Sequence, residues 1–192
     1  MPNWAYTSYV IEGEPKELEA LNAKLNELNG MSEPLVKNGF GNLWLGCIVT
    51  LLGGDWQKVY CRGRILDYYL ENGVLNLKVE SAWAELNETR SLFQSKHPGL
   101  AIWYSTEESG MGIYRTNDGD GKYFPARYIV DTESDWQTHY DDLSEATAQV
   151  RNLTGRDVAA DVEAISTAID EWMSEDPDNR WASFDTFDIV DD

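Results

Sequence analysis

The chain has 192 residues, 42% of them apolar and 12% aromatic, with a formal net charge of -19. That length suffices for one domain with a sizeable core, and the composition is too apolar for overall disorder. No apolar run reaches the roughly 20 residues that cross a bilayer, and the excess acid argues against nucleic acid or an anionic membrane as partner.

The charge is uneven. Residues 131–192 hold 18 Asp or Glu against 3 Lys or Arg, while residues 1–130 hold 16 against 12. The composition therefore divides the chain into a region 1–132 and an acidic region 133–192. The start, Met-Pro-Asn-Trp-Ala, has neither a basic n-region nor an apolar h-region, and reads as a cytoplasmic protein.

In chain order, residues 4–11 (WAYTSYVI) are aromatic and β-branched and predict a strand. Gly13-Glu14-Pro15 then opens a helix, in which Leu18, Leu21, Leu25 and Leu28 form one apolar stripe. Residues 43–52 (LWLGCIVTLL) fit either a buried strand or a short helix, and Gly53-Gly54 favours the helix. Residues 59–70 and 74–81 flank Asn72-Gly73, the strongest short-range hairpin signal. A second amphipathic helix is expected over 87–96, with Leu86 and Phe93 inward, and a strand over 100–105. Residues 111–115 and 123–130 are expected to pair as a further hairpin around Asn117-Asp118-Gly119-Asp120-Gly121. Two helices follow, over 143–153 and 157–173, separated by Thr154-Gly155.

The order β-α-(α)-β-β-α-β-β-β followed by two helices predicts an α+β protein. Its core reads as a ferredoxin-like βαββαβ unit with an antiparallel sheet, extended by a β-hairpin and an acidic helical region. The last residues, 174–192, are acidic but interleaved with Trp181, Phe184, Phe187 and Ile189. Their apolar content predicts docking, while repulsion among the carboxylates predicts an order that depends on salt or a cationic partner. The helices over 143–173 are expected to pack on residues 1–130.

Four strings add a resemblance. MPNW at the start, GGDWQKVYCRG at 53–63, ESAWAEL at 80–86 and EESGMGIY at 107–114 resemble the YubB-type ferredoxin-like family of plasmids, phages and gut bacteria, over roughly residues 1–132. The resemblance implies the fold, a bacterial setting and a mobile-element origin, and no reaction. Ala5 stands where that family has Cys, Ala84-Glu85 replaces Ser-Pro after Trp83, and Ser109 occupies a common Pro position.

Chemistry-bearing constellations are sparse. Cys47 and Cys61 lie in no CxxC or Cys/His cluster, and His97 and His139 are far from both. Buried reduced thiols and no metal are expected. No nucleophile-base signature occurs. His97 is expected at a helix C-terminus and His139 at the surface. The loop 117–121 lacks the spacing and terminal Glu of a calcium loop, and no cofactor is implied. Arg62 and Arg64 near Tyr60, Tyr68 and Tyr69 have the composition of an RNA platform, but no RNP-like motif accompanies them and the region is net acidic.

The most site-like set is Trp83, Glu107, Glu108, Gly110, Gly112 and Tyr114. Paired carboxylates suit acid-base work if burial separates their pKa values, and glycines admit a ligand to the backbone. The simpler and favoured reading is a Gly-bearing turn with solvated carboxylates. The leading expectation is therefore a non-enzymatic interaction module for a protein partner, a basic one by charge, with an acidic nucleic-acid mimic as its sharper form. A small-molecule binder or weak enzyme around Trp83, Glu107 and Glu108 is the alternative.

Overall fold

A computed structural model describes residues 2–191. The protein is α+β and divides into two compact units, Met1–Asn117 and Asp118–Asp191. The boundary falls before the compositional change near residue 132, so the strand after it belongs with the acidic helices.

In the first unit, β1 (Trp4–Glu12), β2 (Gly63–Glu71), β3 (Val74–Ala82), β4 (Ala101–Glu108) and β5 (Ile113–Thr116) run in the order β2-β3-β1-β4-β5, each pair antiparallel. Strand β2 begins at Gly63 rather than at residue 59, because the chain from Asp55 turns on itself: Asp55 O accepts from Lys58 N and Val59 N. Asn72 and Gly73 take φ values of 52 and 78, the paired positive φ of a type I′ turn. Helix α1 (Pro15–Asn29) starts with Pro at its first turn, and its four stripe leucines are all at most 2% exposed. The ambiguous segment is helix α2 (Leu45–Leu51). It ends in a Schellman arrangement, with Gly54 N donating to Val49 O and Gly53 N to Thr50 O. Helix α3 (Asn87–Lys96) buries Phe93, with Leu86 buried just before it. These side chains share one core with Ile11, Ile65, Leu75, Leu77, Val79 and Ile102, which all point to one side of the sheet by the strand alternation.

The second unit contains β6 (Tyr128–Thr132), β7 (Thr138–Tyr140), α4 (Leu143–Thr154), α5 (Val162–Ser174) and β8 (Ala182–Thr186). Its sheet has the order β7-β6-β8, antiparallel throughout. Val130, Ala146, Val150, Val158, Ile165, Ile169 and Ala182 form its own core.

Two expectations are corrected. Strands β5 and β6 belong to different sheets, so residues 117–121 are no hairpin tip. That loop instead folds around the buried carboxylate of Asp118, which accepts from the backbone N–H groups of Lys122, Tyr123 and Phe124. Helix α5 starts at Val162, capped by Asp161, whose side chain accepts from Ala164 N; Val158 reaches the core ahead of it. Helices α4 and α5 share a core with β6 and β8. The segment after Ser174 is strand β8 hydrogen-bonded to β6, with Ala182 in the core and Phe184 against it. No helix is long and apolar enough to cross a membrane among the described residues.

Candidate functional site

The set expected from sequence lies at one end of the first sheet. Glu107 and Glu108 are successive residues of β4 and so face opposite sides. Glu107 stands between Tyr6 and Tyr114 in register. Glu108 is 6% exposed, and its carboxylate accepts from Gly110 N at 3.0 Å and Met111 N at 2.9 Å, capping a short 3-10 turn. Gly112 closes that turn at φ 61, where a side chain would be strained. Trp83 is exposed, holds φ 75 and donates its backbone N–H to Asn3 O at 2.9 Å. The Asn3 side chain lies against Gly110, where a Cβ would come within 2.8 Å of Nδ2. Trp83 and the 108–112 turn are therefore joined through Asn3 of the opening MPNW string. Tyr114 is buried. With its carboxylates on opposite faces and Glu108 engaged by the turn, this set offers no acid-base dyad.

Sequence reasoning also missed a buried polar cluster on the helix side of the sheet. Glu85 Oε1 accepts from Tyr9 Oη at 2.9 Å and from Arg90 Nε at 3.0 Å. The Glu85 and Arg90 side chains are 7% and 5% exposed. Arg90 Cζ lies 4.9 Å from the Tyr104 ring centroid, and Nη2 donates to Asn87 Oδ1. Burial, then the Glu85 carboxylate, pushes the Tyr9 phenol well above its ordinary value. Beside this cluster the core leaves a cavity of about 60 Å³, walled by aliphatic side chains and by Tyr9, Thr89, Arg90 and Phe93. No local spacing signals the cluster, because Tyr9 meets Glu85 only when β1 and the approach to α3 come together.

A third feature is an open groove of about 400 Å³ lined by Phe40, Trp44, Trp56, Tyr60, Arg62 and Glu88, among others. The Trp44 and Trp56 rings meet edge to face, 5.4 Å apart at 68°, and Phe40 is braced edge-on by Trp4 at 6.2 Å. The floor loop is fixed from both sides. Tyr60 N donates to Glu88 Oε2 at 2.7 Å, and Tyr60 O accepts from Thr89 Oγ1 at 3.0 Å. Arg64 is paired with Glu80 at 2.6 Å, whereas Arg62 is exposed with no carboxylate within ion-pair distance among the described residues.

Cys47 and Cys61 are buried free thiols, and burial raises the Cys61 thiol above its ordinary value. No group of three or more metal-binding side chains gathers among the described residues. His97 caps α3, its N–H donating to Phe93 O and Gln94 O, with Nδ1 3.6 Å from Glu17 Oε1. His139 is exposed on β7 and faces the Phe187 ring at 6.2 Å.

No family model matches the chain, and no curated protein matches it. Among solved structures it is similar to an unknown protein from Galdieria sulphuraria at 10% identity, over 95% of this chain and 97% of that one. The TM-score of 0.27 is too low for that likeness to carry fold or function.

Proposed function

We propose that this is a non-catalytic cytoplasmic interaction protein whose acidic second unit receives a basic protein surface. The observation that carries the reading is the dense display of charge on a folded unit. Residues 118–191 hold 19 acidic and 5 basic side chains, and 15 of the 19 are exposed on a unit with its own core and sheet. Carboxylates held at fixed spacing keep their pattern without an ordering cost on binding, which favours recognition over mere solubilisation. A few are neutralised internally: Arg156 pairs with Glu171 and Glu175, and Arg180 with Glu175. The sharper form is an acidic nucleic-acid mimic, supported by the same density of fixed carboxylates.

The first unit supports a ferredoxin-like reading through its β2-β3-β1-β4 order and the single face covered by helices. Membership of the YubB-type family is part of the proposal. Its support is the meeting of three resembling strings through Asn3, Trp83 and Gly110. The alternative site around Trp83, Glu107 and Glu108 keeps an exposed indole but has no paired carboxylates.

Affinity capture from a bacterial lysate at low salt, using the full chain and a Glu163→Gln/Asp170→Asn/Asp157→Asn variant, tests this. A basic protein held by the parent, released by salt and lost with the variant is the expected result. Equal retention by both chains would defeat it, and displacement of the partner by duplex DNA would single out the mimic.

A further inference from the structure

The aromatic groove of the first unit is independent of the acidic surface just proposed. We infer that it binds a small planar ring compound carrying one anionic group, a carboxylate or a phosphate. Three observations lead there. The volume, about 400 Å³, falls in the range of small-molecule sites. The walls are rings set at steep angles, Trp44 against Trp56 and Phe40 against Trp4, which leaves ring faces and edges for stacking with a flat guest. Arg62 brings a guanidinium with no carboxylate partner among the described residues into a chain of net charge -19. A planar cation of this kind matches carboxylate or phosphate oxygens and stacks on aromatic rings.

The sign of the guest follows from the remaining groups. Lys58 also lines the groove and is bridged to Asp55 at 3.3 Å. Glu88, the groove's acid, keeps its charge but has one oxygen engaged by Tyr60 N. Arg62 is therefore the charged group of the groove left without a partner among the described residues, and it sets the preference for an anion over a cation. The site is built in advance, because Glu88 and Thr89 clamp the loop at Tyr60 and the Trp44 ring rests on Gly46.

Calorimetric titration of the full chain tests the inference with adenosine 5′-monophosphate and indole-3-acetate as anionic rings. Adenosine and 3-methylindole serve as their uncharged counterparts, and choline as the cation. At least one anionic ring is expected to bind saturably and at least tenfold more tightly than its uncharged counterpart. Which of the two binds distinguishes phosphate from carboxylate. Arg62→Gln, a change at an exposed side chain, should remove that tenfold preference while leaving thermal unfolding unchanged, and Trp56→Ala should abolish binding of charged and uncharged rings alike. Choline binding more tightly than either anion, no binding by either anion, or an Arg62→Gln variant that keeps the preference would each overturn the proposal.

Discussion

The two units solve the same problem with unequal means. The first carries 14 acidic and 10 basic residues in positions 1–117, the second 19 and 5 in positions 118–191. The first buries a four-leucine stripe, Phe93 and one face of its sheet in a large apolar core. The second gathers a smaller core with two alanines from its helices and a third from β8, under a surface of one sign. Apolar burial is worth about 25 cal/mol per Å², and like charges on a compact unit repel. The second unit should therefore be the less stable and the more responsive to salt and pH.

The sharpest way to break that comparison is in the first unit, whose Glu85–Arg90 ion pair is buried. Arg90→Met leaves Glu85 buried and unpaired, and should cost about 3–5 kcal/mol in urea unfolding; adding Glu85→Leu should recover most of the loss. Failure of the double variant to recover would mean that packing around Tyr104, and not charge, sets the cost. Next in size, Ile165→Ala in the second unit should cost about 2–5 kcal/mol. It should melt the β6 and β8 amides in hydrogen exchange while those of β1 and β3 stay protected. Joint loss of protection in both sheets would show that the units do not unfold separately.

Asp118 and Asp185 give the second unit two opposite pH responses. Burial alone would raise Asp118, but the backbone donors of Tyr123, Phe124 and Lys122, with Arg127, hold it below the ordinary carboxylate value. Its contribution is therefore present above the unfolded pKa and lost as pH falls through the depressed one. Burial, with Asp131 nearby, raises Asp185. The folded protein then binds that proton more readily than the unfolded chain, so ionisation of Asp185 destabilises as pH rises above the ordinary carboxylate range. Asp118→Asn should cost about 1–3 kcal/mol at neutral pH. Asp185→Asn should gain less than about 1 kcal/mol there, and the gain should vanish in acid. Thermal unfolding across the acid range measures both.

The smallest expected effect concerns the cavity beside Tyr9. Val79→Ile adds one methylene to its wall. Filling about 60 Å³ at roughly 24 cal/mol per Å³ sets an upper gain of about 1.4 kcal/mol. One methylene should return up to about half of that in urea unfolding, and a loss would mean the wall cannot yield.

Local pattern determined a good deal. The 3-and-4 spacing of Leu18, Leu21, Leu25 and Leu28 set α1 and its buried face, Asn72-Gly73 set the β2–β3 turn, and the alternation from Val74 to Glu80 set which side of β3 is wet. These are properties of neighbours a few residues apart, for which steric and hydrophobic periodicity leave few solutions. The partners of β5, β6 and β8 were not determined in that way. Residues 111–130 carry strand-like composition on both sides of a glycine loop, yet Asp118 gathers three backbone donors and sends the two strands to different sheets. The stretch from Ala182 to Thr186 has too few apolar residues to announce a strand, and becomes one by pairing with β6. The pairing of Glu85 with Tyr9 and Arg90, and the gathering of Phe40, Trp44, Trp56, Tyr60 and Arg62 around one groove, likewise join distant segments. Such contacts depend on which edges and faces remain open once the local elements have formed, and that is decided only in three dimensions.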